Sequence, residues 1–172
     1  RVSSLNKKLA SLAANGLNIA GHEVMLADYT TFDMPLYNDE WFRTNDIKMV
    51  KNPFAEIVNQ VQGIVVATPE YNWSYPGSLK NIIDWTSRIK PQPLAGKSIL
   101  LMCATTSDRG GIVALSHLKA PFEALQSYVF PRAYTVSNAD RHLSGETFGE
   151  AKQQQNFATL ISDYCEFTRK LS

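Results

Sequence analysis

The residues best suited to chemistry in this sequence lie in a short loop with three aromatic side chains: Tyr71, Trp73 and Tyr75. A strongly apolar run precedes the loop, and an amphipathic helical pattern follows it. Pro69 turns the chain away from the apolar run, and the Pro-Gly pair at 76–77 turns it again. Tyr and Trp offer flat apolar faces with a polar edge, which suits a planar heteroaromatic ligand. Any single ring could instead pack on the core or on a partner subunit, but the whole loop favours ligand binding.

A second candidate segment is RVSSLN at residues 1–6, directly before a helical pattern. The free N–H groups and the dipole at a helix N-terminus attract anions such as phosphate. Arg1 would add positive charge, Ser4 a hydroxyl donor and Asn6 an amide donor. The same residue types also form ordinary helix caps, and the segment alone does not separate the two interpretations.

The third segment is TTSDRGG at residues 105–111, which follows another apolar run. Gly110 and Gly111 would let the backbone approach a ligand closely, and consecutive N–H groups there could bond to ring carbonyls. The structural alternative is a plain turn from a strand to a helix, with Asp108 as the helix cap.

Regular elements must position these segments, and the apolar patterns predict an alternation of strands and helices. Residues 63–68 and 97–105 are apolar without alternation, which is typical of strands covered on both faces in a parallel sheet. Further strands are predicted at 22–29 and at 128–136, where Pro131 indicates an edge position or a bulge. Apolar spacing of three and four residues predicts helices at 3–20, 52–61, for about ten residues from Ser78, at 112–127 and at 150–171.

Residues 30–47 lack clean periodicity and are interpreted as loop. The helix at 3–20 has no strand in front of it, so we expect a first strand upstream of residue 1. Residues 1–172 are interpreted as one α/β sandwich domain around a parallel sheet. Ligands of such sheets bind beyond the carboxyl ends of the strands, where the three segments would converge. The segments describe a mononucleotide site, and FMN fits better than a dinucleotide because no GxGxxG motif follows a strand.

Composition and charge argue against several classes of partner. The formal net charge of +1 leaves no basic surplus for nucleic acid, and no apolar run approaches the roughly 20 residues that span a membrane. Cys103 and Cys165 lack the spacing of a metal site, which indicates free thiols and a cytoplasmic protein without a metal ion. The histidines are scattered, at His22, His117 and His142, so no catalytic side chain is assigned.

The stretch TPEYNWSYPGSLKNIIDWTSR at residues 68–88 resembles the hallmark loop of the NAD(P)H-dependent FMN reductase family, which reads T-P-E-Y-N, then P-G, then L-K-N-x-I-D-W. Arg1, Ser4 and Asn6 match R-x-x-S-x-N of the family's phosphate loop, and SDRGG at 107–111 is similar to its third flavin loop. The resemblance implies a three-layer flavodoxin-like fold around a five-stranded parallel sheet, with the first strand upstream of residue 1. It also implies FMN as cofactor and NADPH, or NADH, as co-substrate.

The resemblance assigns the site residues loop by loop. The FMN phosphate would be held by Arg1, Ser4 and Asn6. The ribityl chain and the flavin ring would be lined by Pro69, Glu70, Tyr71, Asn72 and Trp73, with Glu70 acting through its backbone. The pyrimidine end of the ring would meet Ser107, Asp108, Gly110 and Gly111.

The implied function is an oxidoreductase that passes electrons from NAD(P)H, in ping-pong order, to a small acceptor: a quinone, free flavin, chromate or an azo compound. Candidate contacts for the 2′-phosphate of NADPH are Arg43, Arg109 and Arg141. The resemblance also implies a homodimer or homotetramer, with Trp85 and Arg88 as interface candidates. The alternative is a non-enzymatic flavodoxin-type electron-transfer protein, against which the balanced net charge and the phosphate-loop pattern argue.

Overall fold

Two parallel strands, β1 (Gly63–Ala67) and β2 (Ser98–Ala104), form the centre of the computed structural model, which describes residues 4–144 and 147–171. Their register runs from Gly63 opposite Ser98 to Ala67 opposite Met102. Every residue of β2 is buried. The continuous apolar runs predicted the positions of both strands correctly. β2 is covered on both faces, as such a run indicates, whereas only Val66 of β1 is buried and its other residues are partly exposed.

The third strand position is filled by two short segments, β3 (Tyr128–Val129) and β4 (Tyr134–Val136). Both pair in parallel with β2, β3 near its start and β4 near its end. Pro131 lies between them and has no N–H to donate to a ladder. The strand predicted over 128–136 is therefore present but interrupted, as Pro131 indicates.

Helices flank the sheet in the described part of the chain. They are α1 (Leu5–Ile19), α2 (Asp39–Thr44), α3 (Pro53–Val58), α4 (Gly77–Ser87), α5 (Ile112–Ala124), α6 (Ala139–His142) and α7 (Ala151–Leu171). The predictions of α1, α3, α4, α5 and α7 are confirmed, although α3 is shorter than expected. Among these helices, none has the length and apolar character needed to cross a membrane.

The side chains of β2 alternate between two hydrophobic cores, which makes the fold three-layered. One core packs Leu100, Met102 and Ala104 against α1 and α7. The other packs Ile99, Leu101 and Cys103 against α3, α4 and α5. The predicted α/β class with helices on both faces of a parallel sheet is confirmed.

The strand predicted at 22–29 is wrong: residues 22–28 form no strand, and Tyr29–Thr31 is a single 3-10 turn. A cavity of about 630 Å³ separates this segment from β1. An extended segment becomes a strand only when it pairs with a neighbouring strand, so the apolar pattern of 22–29 was not sufficient to predict one. The described residues supply three positions of the parallel sheet, and the strand expected before residue 1 stays a prediction.

The loop predicted at 30–47 contains short helical segments. Asn38 caps α2 by accepting a hydrogen bond from the N–H of Trp41, and Ile47–Met49 forms a second 3-10 turn. No residue of α2 is buried, so no apolar periodicity marked it. A small antiparallel hairpin of β5 (Leu143–Ser144) and β6 (Thr147–Phe148), directly after α6, was also not predicted.

Candidate functional site

The N-terminus of α1 and the end of β2 are held together by one side chain. Asn6 is buried; its Nδ2 donates to the carbonyl oxygen of Ala104, and the N–H of Ala104 donates to its Oδ1, both at 2.8 Å. Asn6 was predicted to hold a phosphate. In the structure the Oδ1 of Asn6 and one of its amide hydrogens bond to β2. The first role of Asn6 is therefore to fix the predicted phosphate loop beside the segment at 105–111.

Ser4 caps α1, and its Oγ accepts a hydrogen bond from the N–H of Lys7 at 3.4 Å. Within the described residues the hydroxyl of Ser4 donates no hydrogen bond, so its hydrogen can be offered to a ligand. The first turn of α1 contains no acidic residue, so nothing there offsets the positive end of the helix dipole. Arg1, the third predicted phosphate contact, lies outside the described residues.

The aromatic loop is a tight hairpin turn. The N–H of Tyr71 donates to the carbonyl of Ser74 at 2.7 Å, and the N–H of Ser74 donates back at 3.0 Å. The central residues, Asn72 and Trp73, have φ angles of 47° and 65°. Two positive φ angles define the turn that best matches the twist of a hairpin, but the residue preferred at its second position is Gly.

The three rings of this loop do not share one role. Tyr71 and Trp73 are exposed, with 60% and 55% of their surface accessible. Tyr75 is half-buried and packs against the core that contains Leu101 and Phe122. Two rings are therefore available to a ligand, and the third anchors the loop.

Glu70 acts through its side chain as well as its backbone. Its Oε2 accepts a hydrogen bond from the N–H of Ala114 at 2.9 Å, in the first turn of α5. The N-cap residue of α5 is Gly111, which has no side chain to cap the helix. Glu70 therefore caps α5 from the neighbouring loop, and the expectation that only its backbone matters is corrected.

The Gly-Gly turn presses against the sheet. Gly110 and Gly111 have φ angles of 68° and 77°, and a Cβ at Gly111 would lie 2.2 Å from the Sγ of Cys103. A Cβ at Gly110 would lie 2.9 Å from the Cβ of Thr135. Packing alone requires both glycines, so their presence in the sequence is not by itself a sign of a ligand.

Asp108 does not cap α5, which corrects the structural alternative considered for this loop. Its Oδ1 accepts a hydrogen bond from the Nδ2 of Asn138 at 2.8 Å. The carbonyl of Ser107 also accepts from the N–H of Asn138, at 3.2 Å. Asn138, with a φ of 46°, thus supports the loop from the segment after β4, and no sequence pattern marked it.

Ionisable groups behind the loops are held neutral by burial. Burial raises the pKa of the Cys103 thiol to about 12, and the neighbouring Glu70 contributes in the same direction. Burial likewise raises the pKa of Tyr29, whose hydroxyl lies 3.4 Å from the Oγ1 of Thr68. Cys103 and Tyr29 therefore serve here as uncharged packing groups at neutral pH.

Trp85 was predicted as an interface residue, and this is wrong. It is 1% exposed, and its Nε1 donates to the carbonyl of Pro35 at 2.8 Å. Its ring makes edge contacts with Tyr37 and Trp41. The guanidinium of Arg88 lies 5.1 Å from the Tyr37 ring centroid, within the same intramolecular cluster.

The described part of the first candidate segment, residues 4–6, therefore lies with the two other segments at the carboxyl ends of β1 and β2. These residues suit a phosphorylated flavin: they provide a helix N-terminus without acidic residues in its first turn, the hydroxyl of Ser4, and two exposed rings at Tyr71 and Trp73. The loop at 106–109 is exposed, so its backbone is within reach of a ligand. The residues present fit FMN.

Several known proteins are similar to this chain in sequence. Residues 1–141 match the family model described as NADPH-dependent FMN reductase. The sequence is similar to a quinone reductase of Escherichia coli (strain K12), with 41% identity over 135 residues, which are 78% of this chain and 72% of that protein. It is also similar to a 2-hydroxy-1,4-benzoquinone reductase of Burkholderia sp, with 32% identity over 172 residues, covering 98% of this chain and 91% of that protein.

Solved structures share the fold at low sequence identity. A flavoenzyme NAD(P)H:(acceptor) oxidoreductase from Paracoccus denitrificans superposes with a TM-score of 0.82 at 23% identity, covering 99% of this chain and 92% of that one. An oxidised flavodoxin from Bacillus cereus superposes with a TM-score of 0.62 at 14% identity, covering 95% and 91%. Both similarities concern the fold alone.

Proposed function

This chain belongs to the NADPH-dependent FMN reductase family, an enzyme family that uses FMN and NAD(P)H, and we propose that it reduces quinones in a ping-pong order. One observation carries the proposal: two exposed rings, Tyr71 and Trp73, stand on a strained turn where β1 ends. The flavin and a planar acceptor next to it both need a flat apolar surface, and these two rings would provide it. The names of two relatives, both quinone reductases, support the choice of acceptor class.

The residues that would hold FMN follow from the donor set. The N–H groups of the first turn of α1 and the hydroxyl of Ser4 would bind the phosphate. The loop from Pro69 to Trp73 would line the ribityl chain and the ring, and exposed backbone at residues 107–109 would meet the pyrimidine end. When bound, FMN supplies the hydride and electron chemistry that no side chain of this site can perform.

The protein's own contribution is position. Asn6 ties the phosphate loop to β2, and Glu70 ties the aromatic loop to α5. Together they hold three ligand-facing segments at fixed distances. The bound FMN and the substrate would therefore keep a fixed mutual orientation, and no side chain has to act as an acid or a base. In the net reaction NAD(P)H gives two electrons and one proton, the solvent gives a second proton, and the quinone becomes a hydroquinone. The nucleotide and the quinone would occupy the same open space in turn.

The direct test is steady-state oxidation of NADPH by 2-methyl-1,4-naphthoquinone, with the protein loaded with FMN. A ping-pong order predicts parallel lines in double-reciprocal plots at several quinone concentrations. Tyr71→Ala is expected to weaken FMN binding about tenfold through the loss of a stacking ring, as measured by fluorescence titration of the apoprotein. Tyr128→Ala is the matched control, because Tyr128 is also exposed but pairs opposite Ser98, at the far end of β2.

Two results would contradict the proposal. Intersecting lines would mean that both substrates bind together, which excludes the ping-pong order. FMN binding without any oxidation of NADPH by a quinone would instead indicate an electron-transfer protein. The predicted homodimer or homotetramer and the cytoplasmic location stay predictions, and light scattering of the purified protein tests the first of them.

A further inference from the structure

The exposed face of the candidate site carries a positive charge stacked on an aromatic ring. The guanidinium carbon of Arg109 lies 4.2 Å from the ring centroid of Trp73. This contact joins the loop after β1 to the loop after β2. Stacking uses the flat face of the guanidinium and leaves the N–H groups along its edge free to donate.

The backbone of Trp73 is strained, because the second central position of its hairpin turn has a positive φ. Its φ of 65° is in the left-handed region, which is unfavourable for a residue with a Cβ and which Gly adopts freely. In the described part of the chain, Arg109 is the one aromatic or cationic partner of its ring. A large exposed side chain kept at such a position points to a function.

Arg109 has no ion-pair partner within the described residues. The two acids of the adjoining loops have other partners. Glu70 accepts from the N–H of Ala114, and Asp108 accepts from Asn138. An anion arriving at this face would therefore meet a cation free to bond with it.

We propose that Trp73 and Arg109 select planar acceptors that carry a negative charge on the ring, such as ionised hydroxyquinones. The inference rests on the proposed quinone reduction and names the preferred class of quinone. The exposed ring of Trp73 provides a stacking surface, and the edge of Arg109 provides charge-assisted hydrogen bonds to an anionic oxygen in the plane of the acceptor. A neutral quinone of the same size gains the stacking and the weaker hydrogen bonds that an uncharged carbonyl oxygen accepts.

The test compares two acceptors of similar shape: 2-hydroxy-1,4-naphthoquinone, which is ionised at neutral pH, and neutral 2-methyl-1,4-naphthoquinone. Replacing Arg109 by Gln is expected to lower the ratio of kcat/KM for the anionic acceptor to that for the neutral one about tenfold, mainly through KM. Arg109→Lys should recover part of the preference, because it keeps the charge but not the planar fork. Arg132→Gln is the control, since Arg132 also lies over an aromatic ring, that of Phe130, but outside the site loops.

A binding measurement separates this inference from the proposed function. Calorimetric titration of the oxidised, FMN-loaded protein with 2-hydroxy-1,4-naphthoquinone, without NADPH, should give a Kd that rises about tenfold in Arg109→Gln and rises with salt in the wild type. If the wild type reduces neither quinone, quinone reduction fails, while the titration still tests the anion preference. The inference is overturned if Arg109→Gln lowers kcat/KM equally for both quinones. It is also overturned if the substitution changes only the preference for NADPH over NADH.

Discussion

The side chain of Asn6 and the backbone of Ala104 exchange two hydrogen bonds of 2.8 Å across a sequence separation of 98 residues. This pair joins the N-terminal turn of α1 to the last residue of β2. It places the predicted phosphate loop beside the loop that follows β2. The geometry of the candidate site therefore depends on Asn6, whose side-chain amide forms both of these hydrogen bonds within the protein.

Loss of this pair should destabilise the fold. Asn6→Ala leaves a buried N–H and a buried carbonyl at Ala104 without their partner, so we expect the free energy of unfolding to fall by about 1–3 kcal/mol. Urea unfolding of the apoprotein measures it. Asn18→Ala, an exposed position near the end of the same helix, should change stability by about 0.5 kcal/mol or less. Equal effects at the two positions would show that the pair contributes nothing.

Glu70 should stabilise α5 through its carboxylate oxygen. Glu70→Ala is expected to lower the free energy of unfolding by about 1 kcal/mol, as for loss of a helix cap. Glu70→Gln keeps an acceptor oxygen and should retain much of that stability. Hydrogen exchange at the N–H of Ala114 should be faster in Glu70→Ala than in Glu70→Gln. If the two variants exchange at the same rate, the capping role is wrong.

The backbone strain at Trp73 can be measured with a pair of small residues. Trp73→Gly and Trp73→Ala remove the same ring, but only Ala keeps a Cβ at a φ of 65°. We expect the Gly variant to be the more stable by about 1 kcal/mol in denaturant unfolding. An Ala variant as stable as the Gly variant would mean that the turn relaxes at little cost.

Gly111 should tolerate no side chain. In Gly111→Ala the new Cβ would lie 2.2 Å from the Sγ of Cys103, in addition to the left-handed φ, so we expect a loss of at least about 2 kcal/mol. Gly21→Ala is a matched control, because Gly21 has a φ of 85° but nothing within 4 Å of the Cβ position. In Gly21→Ala the free energy of unfolding should fall by about 1 kcal/mol, which is the cost of placing a residue with a Cβ at a positive φ. Similar losses in both variants would contradict the packing argument.

Asp28 should make stability depend on pH in the acid range. A hydrogen bond from Lys7 at 2.5 Å, with another from Thr30, lowers the pKa of Asp28 from 3.8 to about 2. Because the folded pKa is the lower one, the stabilisation is complete above pH 3.8 and is lost as the pH falls towards 2. Unfolding measured between pH 5 and 2 should show a weaker pH dependence in Asp28→Asn. Glu23→Gln, exposed in the same segment, is the control, and an unchanged profile in Asp28→Asn would contradict the prediction.

Local pattern was sufficient for elements whose burial is strong. The run at 97–105 predicted β2 because every residue of that strand, Ser98–Ala104, is buried. Asn52-Pro53 predicted the start of α3 because a helix cap is formed by residues that are neighbours in sequence. The same reasoning failed at 22–29, where an apolar pattern has no adjacent strand among the described residues. It also failed for α2, which buries no side chain and so carries no periodic signal.

The sequence by itself determined the α/β class, the positions of the site loops and the family, because apolar runs, caps and the motif at 68–88 act over a few residues. Only the tertiary structure decided what the side chains in those loops do. Asn6 bonds β2, Glu70 caps α5, Trp85 is buried, and Arg109 stacks on Trp73. Each of these contacts joins segments far apart in the chain, and a partner brought close by folding leaves no trace in local spacing.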